Sequence, residues 1–575
     1  MDFSQLNINA NTVALFQEKF EGSYTKANEI LKDQTGIIDF FEKETDFIQL
    51  KETLEINHAF IAENKIEYGD FQTNQQLSKA ICSSLANKNI NPRILLEPTC
   101  GKGSFILSAL QIFPSLENIY GVEIQESYLW ELKFSLLDYF LQKPRANKPE
   151  IRLFHCNVFD FDFEQVKMQI KNRELLVIGN PPWVTNSTLS SINSNNLPAK
   201  SNFKKKKGID AITGKGNFDI GEFIALKMLD LFAKENGHFA FLIKNSVIKN
   251  IVYEQKRNKY SISDIEKHTI NAQKEFGAAV DASLFMCKFN TTPELTAKEY
   301  DFYTSEHQTT LGWVKDKFAS DTEKYVQFRD FDGICPFVWR QGIKHDCSKI
   351  MELNKVDNHF QNALGEEFEL EEELVYGLLK SSDLKGNSID KSRKYTIVTQ
   401  QKIGQETQFI LEKLPKTKSY LENHKEYFLK RKSSIYNGKP MFSIFGVGDY
   451  SFKPYKVAIS GLYKQTKFTL VEPNESILML DDTCYFIGFD RLSDAVITQF
   501  LLNRPDTQDF IASFMFTDAK RAITKDLLMR IDLRKIIELT NFEDLKELDI
   551  SLSQWEQYVS RLKTQTKEQL NLFAS

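Results

Sequence analysis

Residues 93–113 read RILLEPTCGKGSFILSALQIF. The short apolar run Ile94 to Leu96 ends on an acid and a proline, turns through Gly101 and Gly103, and opens into apolar residues at helical spacing from Phe105 to Phe113. This order describes a buried strand that enters a helix through a glycine turn. Glycine there lets the backbone bend sharply and approach a ligand closely at the carboxyl edge of a sheet. Further along, Ile119–Val122, Ile151–Phe154, Leu175–Ile178 and Phe239–Ile243 are similar apolar runs, separated by helical patterns at 129–141 and 223–232. Strand and helix alternating in this way predict an α/β fold with a doubly wound sheet.

Length sets the wider frame. At 575 residues the chain exceeds one typical domain of roughly 150 residues. Residues 1–66 carry apolar positions at helical spacing, including Ile37, Ile38, Phe40 and Phe41, and are expected to form a helical lead-in. The doubly wound domain is expected over 67–320, with the more polar stretch 291–332 as a connection. Residues 333–575 mix short aromatic strand candidates (441–445, 456–459, 468–471, 485–489) with helical patterns near 410–432, 491–503 and 552–572. They predict a mixed α+β domain. The acidic run 365–373, GEEFELEEE, is read as a solvated loop or helix start. Seven cysteines with no C-x-x-C pair argue against a disulfide framework and a structural zinc site, and no metal site is expected. No apolar run approaches the ~18 residues of a membrane span, so a cytoplasmic protein without a membrane partner is expected.

Two constellations carry chemistry. Glu123 ends the strand after the glycines, about 20 positions beyond them, where a carboxylate can take both ribose hydroxyls of an adenosine. Ile106 stands where the dinucleotide fingerprint has its third glycine, which disfavours NAD. The second constellation, Asn180-Pro181-Pro182-Trp183, follows the strand LLVIG directly. Consecutive prolines fix φ and remove two N–H donors, so the turn exposes carbonyl acceptors. The Asn180 side-chain oxygen and the Pro181 carbonyl can both accept from one planar amino group, draw its lone pair out of conjugation and make the nitrogen nucleophilic. Trp183 is expected to offer a stacking face to the ring that carries this amine.

With these residues the chain resembles the amino-methylating DNA methyltransferases that use S-adenosylmethionine, and among them the adenine-N6 enzymes of the gamma order, of restriction-modification type. Their catalytic domain is Rossmann-like and a target recognition domain follows it. By that resemblance Gly69-Asp70-Phe71-Gln72-Thr73 is the upstream motif, with Thr73 near the cofactor's methionine carboxylate. Glu97, Pro98, Gly101 and Gly103 would lie beside the methionine moiety, Glu123 on the ribose, and Asn157 and Val158 at the cofactor's adenine. Asn217-Phe218-Asp219-Ile220 resembles the segment after the catalytic loop, with a plain helix cap by Asp219 as the alternative. Phe276 lies where the family has an aromatic residue against the flipped target base. The implied activity is site-specific methylation of adenine N6 in double-stranded DNA by base flipping, by a nucleoid-associated monomer, with room for a separate cognate restriction endonuclease as a partner.

A net charge of -5 points away from nucleic acid until it is resolved by region. From Lys413 to Lys467 there are 12 Lys and Arg against three acids, interleaved with Tyr and Phe, a mixture suited to phosphates and sugars. Lys430, Arg431, Lys453 and Lys456 are the candidate DNA contacts, and Lys200–Lys207 (KSNFKKKK) reads as a clamp over the duplex or as plain disorder. Three alternatives stay open at this level: methylation of cytosine N4, methylation of an amide nitrogen or RNA, and a non-catalytic DNA-specificity component that retains the cofactor fold.

Overall fold

Strands that are apolar along their whole length need cover on both faces, and the five apolar runs stand side by side as one half of a single large sheet. Strands β1 (Ile94–Glu97), β2 (Asn118–Glu123), β3 (Glu150–His155), β4 (Leu175–Gly179), β5 (Gly237–Lys244), β6 (Ile262–Thr269), β7 (Ala282–Phe289), β8 (Thr296–Asp301), β9 (His307–Val314) and β10 (Lys317–Ala319) form a ten-stranded sheet. Its order is β10-β9-β8-β6-β7-β5-β4-β1-β2-β3. β1 to β5 run parallel, whereas β7 is antiparallel to both β5 and β6. The helices Ser104–Ile112, Glu126–Gln142 and Ile220–Phe232 fall where the periodicity predicts them, and the doubly wound α/β expectation is met. This computed structural model describes residues 10–19, 23–56, 71–184 and 219–573, apart from positions 146, 172, 279, 358, 464 and 517–520. Gly69, Asp70, Lys200–Lys207, Asn217 and Phe218 therefore lie outside the described residues.

The chain divides into two units, Met1–Phe318 and Ala319–Ser575. In the first, the N-terminal helices are tied to the sheet. Ile38 N donates to Ile151 O at 2.8 Å and Ile151 N donates to Gly36 O at 2.8 Å. That bridge occupies the open edge of β3, a position that would otherwise invite pairing with another chain. Phe16, Phe40, Phe41, Trp130 and Phe134 pack ring to ring between these helices and Glu126–Gln142. Buried among them, Lys133 donates to Phe40 O at 2.8 Å and lies 4.5 Å from the Trp130 ring.

One correction concerns 291–332. It is not a plain connection: β8, β9 and β10 extend the sheet beyond β6, and the turn between β8 and β9 reaches back toward the other strands' carboxyl ends, as shown below. The second unit holds a five-stranded and a six-stranded sheet with helices that include Leu492–Asn503, Pro505–Ala512 and Leu552–Phe573, so the mixed α+β expectation is met. The strand expected at 441–445 is absent. That stretch is a loop with one isolated bridge, Lys344 to Phe445. No helix among the described residues is long and apolar enough to cross a membrane.

Candidate active site

The sheet order reverses between β1 and β4, and at such a switch point the carboxyl ends of the strands leave a crevice. Here the crevice is a cavity of about 1070 Å³ including its open mouth, lined among others by Thr73, Glu97, Pro98, Gly101, Glu123, Asn157, Val158, Asn180, Pro181 and Pro182. Residues from five segments of sequence thus converge on one site. Phe71, Gln72, Thr99, Ile124, Gln125, Tyr128 and Phe159 also line it. Sequence reasoning did not single these out for a role of their own, although Gln125 and Tyr128 follow Glu123 by two and five positions.

Each acid is held differently. Glu123 Oε2 accepts from Gly101 N at 2.8 Å, and Oε1 accepts from Ile124 N at 3.0 Å and Gln125 N at 2.9 Å. This binds the end of β2 to the glycine turn. Glu97 is buried, its Oε2 has no hydrogen-bond partner among the described residues, and burial, with the nearby Glu123 adding to it, pushes its carboxyl well above the ordinary range. Thr99 Oγ1 is likewise buried and without a partner among the described residues. Asn157 Oδ1 accepts from Phe159 N at 3.0 Å.

The two glycines serve different ends. Gly101 has φ +51°, and a Cβ there would lie 2.8 Å from Gln72 Oε1 at the cavity wall. Gly103, with φ +76°, is not among the cavity-lining residues. A Cβ on it would lie 2.1 Å from Leu132 Cδ1, so Gly103 lets two helices approach, and its expected place beside a ligand is corrected.

Asn180 donates from Nδ2 to Phe71 O at 2.8 Å and to Thr73 Oγ1 at 3.2 Å. Its Oδ1 is buried and has no partner among the described residues. The turn rests on the next helix: a Cβ on Gly221 would lie 3.4 Å from Pro182 O and 3.6 Å from Pro181 Cγ. Asp219 is a helix cap, accepting from Gly221 N at 2.9 Å, and it also pairs with Lys244 Nζ at 2.6 Å in a largely buried position. Trp183 departs from expectation. It is only 6% exposed, donates from Nε1 to Leu242 O at 3.3 Å, and packs against both Phe71 and Phe276 with ring centroids 5.2 and 5.0 Å away. With its indole N–H satisfied and its ring buried, it lies behind the cavity lining and offers no open stacking face. Phe276 is half-buried at the edge of this trio. Among the described residues no group of three or more His, Cys, Asp or Glu could hold a metal ion.

Comparison with known proteins places this architecture. The chain is 39% identical over 487 residues to the type II methyltransferase M.NspV of Nostoc sp. (strain ATCC 29411 / PCC 7524), spanning 83% of this chain and 99% of that protein. It belongs to the type II DNA methyltransferase family. A second relative, the type II methyltransferase M.VspI of Vibrio sp. (strain 343), is 23% identical over 260 residues, 44% of this chain and 57% of its own. The solved structure of the type IIL restriction-modification enzyme MmeI in complex with DNA aligns over 86% of this chain and 75% of that one, with TM-score 0.42 and 12% identity. No protein-family model matches the chain.

In the methyltransferase's second unit, the basic segment 413–467 is less available than its composition implies. Lys456 is fully buried on the strand Tyr455–Ser460 and donates to Lys453 O at 2.6 Å. Arg431 spends its guanidinium on the carbonyls of Phe428, Ser443 and Met441 at 3.1, 2.7 and 3.0 Å and lies 3.7 Å from the Tyr436 ring. Both are corrected from DNA contacts to structural groups: Lys456 because a buried cation needs its partners inside the protein, and half-buried Arg431 because its guanidinium is committed to three backbone carbonyls. Lys430 and Lys453 reach the surface but pair with Glu426 at 2.9 Å and Asp490 at 2.6 Å. The acidic stretch is bonded to the same segment: Glu369 pairs with Lys416, Glu366 lies 2.7 Å from His424, and Glu371 accepts from Lys416 N and Thr417 N at 2.8 Å each. Lys425, Lys432 and Lys439 are exposed and carry no ion pair among the described residues.

Burial lowers Lys456 to about 7. Its unfolded value is about 10.4, so between these values the unfolded chain holds more protons than the folded one, and stability rises with pH. Urea titrations from pH 7 to 10 are expected to show this rise in the transition of the second unit. Lys456→Met should flatten it and stabilise the unit at pH 7 by about 1 kcal/mol or more. An unchanged pH dependence in the variant would contradict the assignment.

Proposed function

We propose that this enzyme methylates N6 of adenine at specific sites in double-stranded DNA, with S-adenosylmethionine as donor and with the target nucleotide turned out of the duplex. The observation that carries the reading is Asn180. Both of its amide protons are committed to Phe71 O and Thr73 Oγ1, and its Oδ1 is left buried as an acceptor with no partner among the described residues. A buried acceptor without a partner costs about 1–3 kcal/mol, and an exocyclic amino group brought against it recovers that cost. The Pro181 carbonyl supplies the second acceptor. Two acceptors on one amine favour a pyramidal nitrogen, whose lone pair then points along a single line of attack; positioning of this kind supplies much of the rate. Extruding a nucleotide costs on the order of a few kcal/mol, and Phe276, half-buried beside Trp183, is the ring that would meet the extruded base.

The cavity fits the donor. When bound, S-adenosylmethionine supplies an electrophilic methyl on a sulfonium. Glu97, whose buried oxygen lacks a partner among the described residues, suits the ammonium of its methionine portion, and Thr99 Oγ1 stands ready beside it. Glu123 can accept ribose hydroxyls while keeping its backbone contacts, since a carboxylate has about four acceptor sites. Asn157 and Val158 also line the cavity and suit the adenine. The proton released from the methylated nitrogen passes to water, so no side chain need act as a strong base. The second unit reads the DNA, with Lys425, Lys432 and Lys439 on phosphates, and a separate endonuclease of matching specificity completes a restriction system.

Incubation with methyl-labelled donor and unmodified duplex DNA, followed by digestion to nucleosides, is expected to give N6-methyladenine; label in N4-methylcytosine, RNA or protein instead overturns the reading. Asn180→Ala should lower turnover at least about a hundredfold with donor affinity retained. Glu97 makes donor binding pH-dependent. The cationic donor favours the ionised carboxylate, so binding releases a proton and affinity rises with pH until Glu97 ionises without the donor; calorimetry in buffers of different ionisation enthalpy should show this in the wild type and not in Glu97→Gln. Replacing both Lys432 and Lys439 by Glu should weaken DNA binding and flatten its slope against log salt by about two units, whereas an unchanged slope would remove this face from the DNA surface.

A further inference from the structure

The strands beyond β6 have no part in the donor cavity, yet their first turn reaches the helix that carries Phe276. Tyr303 stands in the turn between β8 and β9. Its hydroxyl donates to Glu275 Oε1 at 2.9 Å and accepts from Asn271 N at 3.3 Å. The other oxygen of Glu275 accepts from Asn74 Nδ2 at 3.0 Å. Each end of this chain is anchored. Asn74 caps the helix Gln75–Asn87, accepting from Leu77 N at 2.8 Å, and it follows Thr73, which takes one proton of Asn180. Glu275 precedes Phe276 on the five-residue helix Ala272–Phe276, whose N-terminus is capped by Asn271. Tyr303 is fixed in turn by its backbone N, which donates to Asp301 Oδ1 at 2.9 Å.

One carboxylate thus joins the wall that orients Asn180 to the helix that carries Phe276, and a hydroxyl from the added strands holds that carboxylate in place. We infer that Glu275 is a positioning residue for the target base, braced by Tyr303, which sets the distance between Phe276 and the Asn180 acceptor. Glu275 touches neither donor nor base; it acts through Phe276. The inference rests on the reading that Phe276 meets an extruded adenine. Trp183 and Phe71 hold the Phe276 ring while Glu275 ties down the five-residue helix that carries it, and a displacement of 1 Å in a group that orients a reactant can cost about a hundredfold in rate.

The test compares wild type, Glu275→Ala, Glu275→Gln, Tyr303→Phe and the Glu275→Ala/Tyr303→Phe double variant. For each, kcat and KM on unmodified duplex DNA are measured together with donor affinity. Once the methylated position has been mapped by sequencing the product, 2-aminopurine fluorescence at that position reports extrusion. Glu275→Ala is expected to lower kcat about tenfold to a hundredfold, with weaker fluorescence and unchanged donor affinity. Glu275→Gln keeps one of the two acceptors and should fall between. Tyr303→Phe should lose less than Glu275→Ala, and the double variant should be no worse than Glu275→Ala, because the hydroxyl acts through the carboxylate. Wild type that methylates adenine while Glu275→Ala stays within about twofold of it overturns this inference and leaves the proposed function standing. Losses in Glu275→Ala that fall equally on donor affinity also overturn it, since they mark a general weakening of the fold. Wild type that transfers no methyl to DNA overturns the proposed function and the inference with it.

Discussion

The side-chain amide of Asn180 spends both of its protons inside the protein, on Phe71 O and Thr73 Oγ1, and the rest of the site is arranged around that commitment. Phe71 O can only accept, so the amide has one allowed orientation, with Oδ1 toward the buried space where it has no partner among the described residues. The acceptors come from more than 100 positions earlier in the chain, and they arrive there because Thr73 is itself held by Ser104, whose Oγ donates to Thr73 O at 2.7 Å. Ser104 opens the helix after the glycine turn. The turn, the upstream segment and the Asn-Pro-Pro loop are therefore one hydrogen-bonded unit.

The same cavity separates two carboxylates by environment. Glu97 and Glu123 end neighbouring strands, with Glu97 paired in register to Gly121. Glu123 has both oxygens occupied by backbone N–H groups, which secures the loop. Glu97 keeps a buried oxygen without a partner among the described residues and is pushed upward by desolvation. An arrangement that leaves Glu97, Thr99 and Asn180 each with an unsatisfied buried oxygen is costly for a protein that only folds, since buried polar groups are ordinarily bonded. It makes sense as a site prepared for a ligand with donors at those three places.

How much was legible depended on what each signal measures. The central strands were legible because both faces are buried and their sequences are continuously apolar, as in LLVIG at 175–179. β8 and β9 were not, because their residues are largely exposed or half-exposed and read as a polar connection. Asn180 with its prolines was legible because the motif lies in adjacent residues directly after a buried strand. Trp183 was legible as an aromatic, but its burial beneath Phe71 and Phe276 depends on Leu242, a strand away. The basic segment was legible as composition only: Lys456 and Lys453 are three positions apart, one buried and one at the surface, and no charge count distinguishes them.

The sequence by itself determined the doubly wound sheet, the glycine turn, the acid at the end of β2 and the Asn-Pro-Pro loop, because each of these is written in adjacent residues whose backbone preferences and burial pattern are local. Only the tertiary structure decided that Gly103 serves helix packing, that Arg431 is spent on backbone carbonyls while Lys456 is buried, and that the β8–β9 turn is hydrogen-bonded to the helix of Phe276 through Glu275. Those outcomes depend on which distant groups meet, and a hydrogen bond between residues 28 or 201 positions apart leaves no mark on the spacing of either one.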